Sequence, residues 1–338
     1  MKSQFYHARI KCLSSHICVI ATRSTASKTS PQQVSSDVDA IQTALNATLP
    51  AFFLIALGAY ADKLFPELHL PTLTRLTVYF MIPALVFNAV ANTSLTLSSA
   101  SLLSLGYLLY LVVLGVISAL GSVGLSGTQT RGVIVTSLFG NTGNMGLPIT
   151  LFAYGEAGLE RAVVIFMISL VLMFVVGPTV LAGGGEDLRT KLVDALKLPP
   201  IWATLAGLAF TLFAWELPTS AARGMSLLGD AAIPVMLLSL GLQMRRSWVW
   251  GVGASALRAS GLRLVIGPFI AYAVGWLIGL RGLDLNVLTL SAAMPAAVTM
   301  FVVAVEVKGD YEGVARTVVA TTVGSLAAIM LVLYLLPS

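Results

Sequence analysis

Phe139-Gly140-Asn141-Thr142-Gly143-Asn144-Met145-Gly146-Leu147-Pro148 is the stretch on which the fold turns. It lies within an apolar segment, 132–154, long enough to span a bilayer. Its composition does not suit an intact helix. Three glycines and a proline within nine residues open the hydrogen-bond ladder. Inside lipid, open backbone survives only where protein or a water-lined cavity satisfies it. Asn141 and Asn144 add side-chain donors and acceptors at the same depth. An interrupted helix bearing amides at mid-membrane is how many secondary transporters build a substrate site. The plainer reading is a glycine-rich face for close helix packing. That reading does not ask for two asparagines and a proline together, so a transport site is preferred.

Composition agrees. The chain is 57% hydrophobic and 10% charged. Soluble domains carry about 25% charged residues, so this is a polytopic all-α membrane protein. The net charge of +5 does not point to nucleic acid, because no basic stripe is interleaved with aromatics. Cys12 and Cys18 both lie near the N-terminus, which leaves the membrane body without thiol chemistry. His69 is the one histidine of the body, so no metal site and no cofactor are expected. No Ser/His/Asp set or carboxylate pair has catalytic spacing, and an enzyme is not expected.

Residues 1–37 read as a leader outside the fold. Up to residue 36 they lack Asp and Glu but carry Lys2, Arg9, Lys11, Arg23 and Lys28 among many serines and threonines. That is either transit-peptide composition or a start assigned too early. The transporter domain is expected over 38–338, with one repeat at 38–182, a linker at 183–197 and a second repeat at 198–338. Ten spans are expected, near 41–61, 73–92, 101–124, 132–154, 162–181, 199–215, 225–243, 259–279, 285–305 and 315–336.

The halves resemble each other. Pro50, Pro71 and Pro83 recur about 150 residues later as Pro200, Pro218 and Pro234. A repeat of five spans has an odd count, so the second copy must lie inverted, with the site where the copies meet. Charge supports this arrangement. One side holds Lys63, Arg75, Arg131, Arg189, Lys191, Lys197, Arg245, Arg246, Arg258, Arg263, Lys308 and Arg316. The other, leader aside, holds Arg161, Arg223 and Arg281. The positive-inside rule then places the central loop in the cytoplasm and both termini outside.

Asn141 and Asn144 share a face on any surviving helical turn and could hold a carboxylate or a coupling cation. Half-helices around Gly143, Gly146 and Pro148 offer free N–H groups that favour an anion. Span nine carries Met294-Pro295-Ala296-Ala297-Val298-Thr299, where Pro295 again breaks a helix and Thr299 offers a hydroxyl. Asn88 is a third mid-span amide, with interhelical bonding as its alternative. Asp230, four residues before Pro234, is a candidate coupling acid, with a water-facing position as its alternative. Glu306, Lys308 and Asp310 read as solvated charges.

On these residues the chain resembles the auxin efflux carrier family, in its bacterial-type permease branch, over about 45–338. The most specific match is Gly140 to Pro148, followed by Phe152-Ala153-Tyr154-Gly155. Ile82-Pro83-Ala84-Leu85-Val86-Phe87, Ile233-Pro234, Leu240-Gly241-Leu242 and Met294-Pro295 support it. The resemblance implies ten helices in two inverted five-helix repeats, with helices four and nine broken and crossing, and elevator-like movement. It implies that Asn141, seven residues before Pro148, contacts the substrate carboxylate. Met300 stands where plant members have a second proline, and Thr299 where many bacterial members have asparagine. The long cytoplasmic loop of plant members and their acid–lysine pair in span three are absent.

The expected function is secondary transport of a small organic anion, a carboxylate or dicarboxylate such as malate or malonate, or an auxin-like acid. The coupling ion is left open between H⁺ and Na⁺, and a homodimer is allowed. One rival is a sodium-coupled symporter of the bile-acid type. Another, of a different class, is a non-transporting receptor or scaffold. The plasma (inner) membrane is the expected location, or an organellar membrane if the leader is a real transit peptide.

Overall fold

The computed structural model describes residues 31–184, 187–247, 251 and 253–336, with side chains from residue 41 onward. Most of the expected leader, residues 1–30, lies outside the described residues. Helix α1 runs unbroken from Pro31 to Leu64, so 31–37 continue into the first apolar helix.

Among the described residues, all regular elements are helices. α2 covers Leu70–Ala91 and α3 Leu97–Gly121. α4 is Gly127–Leu138, and α5 is Thr142–Ala182. α6 is Leu188–Leu196, α7 Pro199–Phe213 and α8 Thr219–Arg246. α9 is Ala254–Leu277, α10 Gly282–Ala292, α11 Thr299–Glu306 and α12 Tyr311–Leu335.

Seven of these helices are long and apolar enough to cross a membrane, or eight if the bent pair α6–α7 counts as one span. The count falls short of ten for two physical reasons. α4, α10 and α11 are each too short to span alone. α5 is counted as one rod although it breaks at Gly155, whose φ of 63° and ψ of −161° are open essentially to glycine alone. The rods on either side are 142–154 and 156–182.

The expected linker is not all loop. Asp187 caps α6 by accepting from the Arg189 N–H at 3.1 Å. Leu188, Leu192, Val193 and Leu196 are all exposed, which with Arg189 and Lys191 is the pattern of a helix lying at a membrane surface.

The helices sort into two groups. α1 packs along α8, and α2 packs on α7 and α8. α9 packs on α3, α4, α10 and α12, and α5 packs on α10 and α11. α1 also touches α5 and α12, which joins the groups. In lipid no hydrophobic force drives helices together, so close backbone approach must. α1 and α8 achieve it with glycine. A Cβ on Gly241 would lie 2.0 Å from the Ile55 carbonyl oxygen, and one on Gly58 2.1 Å from that of Leu238.

Candidate functional site

Every helix end leaves backbone groups without intrahelical partners. Buried in lipid, each such group costs several kcal/mol if nothing else bonds it. Four ends meet here: the C-termini of α4 and α10 and the N-termini of α5 and α11. The chain satisfies much of their backbone by pairing the two breaks with each other. Gly140 and Ala296 form an antiparallel bridge. The Asn141 N–H donates to the Pro295 carbonyl at 2.7 Å, and the Ala297 N–H to the Phe139 carbonyl at 2.9 Å. The Ala296 N–H donates to the Thr321 hydroxyl of α12 at 3.0 Å. Thr142 N–H closes a three-residue turn onto the Gly140 carbonyl at 2.8 Å. Asn141 at its centre has φ −76° and ψ 60°, the relaxed form of that turn.

Arg263 bonds four further carbonyls at and just beyond the two C-termini. It is 1% exposed. Its Nη1 donates to Ser137 O at 3.0 Å, Leu138 O at 3.2 Å and the Tyr110 hydroxyl at 3.0 Å. Its Nη2 donates to Ser291 O at 3.1 Å and its Nε to Met294 O at 2.8 Å. Counting Arg263 among the loop cations that orient the chain is therefore wrong. It sits beneath both breaks, and Gly140 is glycine because the guanidinium occupies the place of a Cβ. The missed signal was its position inside the expected span 259–279, where an arginine needs a partner or a task.

The breaks floor a cavity of about 610 Å³. Gly140, Asn141, Thr142, Gly143 and Asn144 line it from one break, and Ala297, Val298 and Thr299 from the other. Phe166, Leu170, Met173 and Phe174 of α5 and Phe301 and Val302 of α11 make apolar walls. The opposite wall is α2, with Val78 and Ile82, and α8, with Gln243. The cavity thus lies between the two groups of helices. Its rim carries Arg75, Arg246 and Glu306. Arg246 is held by Asp62 at 2.7 Å and by the Leu68 carbonyl at 3.0 Å.

Asn141 is 7% exposed and caps the N-terminus of α5. Its Oδ1 accepts from the Asn144 N–H at 3.1 Å. That bond fixes which end of the amide is oxygen, so the Nδ2 is the other end. The Nδ2 is buried and has no partner among the described residues. A buried amide donor left unbonded costs about 1–3 kcal/mol unless a ligand takes it up.

Other expected residues sit elsewhere. Gly143 lines the cavity, and a Cβ there would press to 2.9 Å from the Phe166 ring. Gly146 and Pro148 are buried behind the floor, and space does not explain glycine at 146. Pro295 is buried and contributes its carbonyl to Asn141. Asn88 does not reach the cavity; its Nδ2 donates to the Met225 carbonyl at 3.0 Å and ties α2 to α8. Asp230 is exposed on α8, with the Ser226 hydroxyl 3.4 Å away. Asp310 is not a free charge: it caps α12 by accepting from the Gly313 N–H at 3.1 Å. Glu160 ties α5 to the α2–α3 turn through Thr93 and Ser94, and Arg161 pairs with Asp284.

Comparison with known proteins places this geometry in context. A family model described as membrane transport protein matches residues 43–334. The chain is 30% identical over 299 residues to an "Uncharacterized transporter" of Methanothermobacter thermautotrophicus, covering 87% of this chain and 96% of that one. It is 28% identical over 305 residues to a "Putative malonate transporter" of Rhizobium meliloti, covering 86% and 95%. It is 30% identical over 151 residues to auxin efflux carrier component 1 of Arabidopsis thaliana, covering 36% of this chain and 24% of that one.

Proposed function

The chain belongs to the membrane transport protein family that includes auxin efflux carriers, and from that premise we propose that it carries a small organic anion by alternating access. It is a multi-pass membrane transporter, and its relatives are named transporters, not enzymes. The substrate carboxylate binds at the paired breaks, received by the Asn141 Nδ2 and by the N-terminal turns of α5 and α11 at Gly143 and Thr299. The observation that carries this reading is the buried, unpartnered Nδ2 at the floor of a cavity lined by two helix N-termini. Malonate is the first candidate because a relative covered over nearly its whole length bears that name.

The finer architecture follows from the same reading. α4 with 142–154 makes one interrupted pass, and α10 with α11 another, giving ten passes in two inverted repeats. α1, α2, α7 and α8 form a scaffold, and the remaining spanning helices form the unit that moves past it. The cavity rim lies at the end rich in Arg75, Arg245 and Arg246, which the positive-inside rule assigns to the cytoplasm. Both termini then lie outside, and the plasma membrane is the assigned location. Gly146, Pro148 and Pro295 shape the floor and do not themselves bond substrate, whereas Gly143 offers its backbone N–H. Asn88 acts as helix glue, and Asp230 has no route to the floor.

The test is uptake into proteoliposomes of labelled malonate, competed by a panel of small mono- and dicarboxylates, in sodium or choline buffer and across pH. Asn141→Ala removes one donor to a charged acceptor, worth about 1.5–3 kcal/mol, so apparent affinity falls roughly 10- to 100-fold. Unchanged kinetics would take Asn141 out of the site. Binding without uptake would favour the receptor reading.

A further inference from the structure

We infer that Arg263 is a positioning residue that fixes the sign of charge the site accepts. The inference rests on the anion reading above and goes beyond it, because Arg263 does not line the cavity.

A helix end carries roughly half an elementary charge, negative at the C-terminus and positive at the N-terminus. Where two interrupted helices meet, all four ends are close, and the two signs would largely cancel. Arg263 removes one sign. It bonds Ser137 O and Leu138 O at the end of α4, and Ser291 O and Met294 O at and just beyond the end of α10. One full positive charge thus meets two half negative charges. The N-terminal ends of α5 and α11 are left to face the cavity, together roughly one positive charge. A single carboxylate completes the balance. A second carboxylate on the same substrate has to lie outward, toward Arg75 and Arg246 at the rim.

The same bonds explain why a cation is not drawn in. Four carbonyls at the C-terminal ends that could ligate a sodium ion accept hydrogen bonds from the guanidinium instead. Arg263 reaches them from α9, and Tyr110 of α3 anchors its Nη1. The sign is therefore built into one helix group and travels with it, whatever that group does relative to α1, α2, α7 and α8.

The experiment uses the purified full chain and two variants, Arg263→Gln and Arg263→Lys. Thermal unfolding is followed in choline malonate against choline chloride, and in sodium chloride against choline chloride. Wild type is stabilised by malonate and indifferent to sodium. Arg263→Lys keeps the charge and the same pattern, with malonate affinity within about threefold. Arg263→Gln loses at least about tenfold in malonate affinity and acquires a sodium-specific stabilisation, because the carbonyl ends are uncovered. A folded Arg263→Gln with wild-type malonate affinity and no sodium response overturns the inference. So does an Arg263→Lys that loses malonate and gains sodium, which keeps the idea testable if the glutamine variant does not fold. If wild type ignores malonate, malonate fails as the substrate, and the sodium arm still decides the role of Arg263.

Discussion

Gly140→Ala is expected to lower stability by about 3–5 kcal/mol, although it adds a single methyl group. The new Cβ would lie 1.8 Å from Arg263 Nη2 and 2.6 Å from its Cζ. A long side chain can usually swing away from such a contact. This one cannot do so cheaply. It is 1% exposed, and moving it breaks charged hydrogen bonds to four carbonyls and the Tyr110 hydroxyl. The displaced guanidinium would be a buried cation without its partners, and the carbonyls would be unbonded in an apolar interior. Domains hold only about 5–15 kcal/mol in total, so the variant should be marginal. The check is the melting curve of detergent-solubilised protein, with Gly224→Ala as control. A Cβ at Gly224 meets nothing within 4 Å, and that variant should melt like the parent. Equal melting of both variants would mean that Arg263 is not held as described.

Gly241→Leu is expected to abolish the folded protein, and Gly241→Ala to weaken it severely. Here the obstacle is backbone. A Cβ at 241 would lie 2.0 Å from Ile55 O and 2.7 Å from Ala59 N on α1. Neither atom can rotate away, so the helices must separate. Overpacking in a core typically costs about 1–3 kcal/mol. The loss here is larger, because parting α1 from α8 forfeits dispersion along their whole contact, the main force between helices in lipid. Gly58, whose Cβ would sit 2.1 Å from Leu238 O, should respond the same way from the facing helix. Yield of monodisperse protein after size exclusion reads the effect. Normal yield of Gly241→Leu would show that α1 and α8 tolerate a wider spacing.

Much of this was legible in the sequence, and what escaped did so for physical reasons. The interruption lies at 139–141, a few residues before the Gly143–Pro148 stretch where the sequence places it; 142–154 is helical through Gly143, Gly146 and Pro148, because a π-turn at Thr142–Gly146 makes room for the proline. Gly241 enters the sequence reading only within the Leu240-Gly241-Leu242 match, and its partner, the Ile55 carbonyl, is a contact between distant segments that no local pattern announces. Arg263 was misread because an arginine near the end of a span looks the same in sequence whether it snorkels to water or turns inward to carbonyls. Asn88 and Asn141 are both mid-span amides beyond or before a proline. Only coordinates distinguish the one that bonds Met225 from the one with a free Nδ2. The helix Leu188–Leu196 reads in sequence as linker because three glycines precede a short, charged run, although the cap at Asp187 and the apolar spacing after it are both present there.

The paired breaks, deep within an apolar protein, are expected to face water and substrate. This is tested most directly by single cysteines at Asn144 and Thr299, in a background of Cys12→Ser and Cys18→Ser, probed with a charged, water-borne thiol reagent. Ser247→Cys at the cavity rim serves as the reference. Both deep cysteines should be modified, more slowly than the rim, and malonate should slow the deep sites and spare the rim. Modification of Ser247→Cys alone, with Asn144→Cys and Thr299→Cys inert, would mean the breaks are sealed in protein and would contradict this expectation.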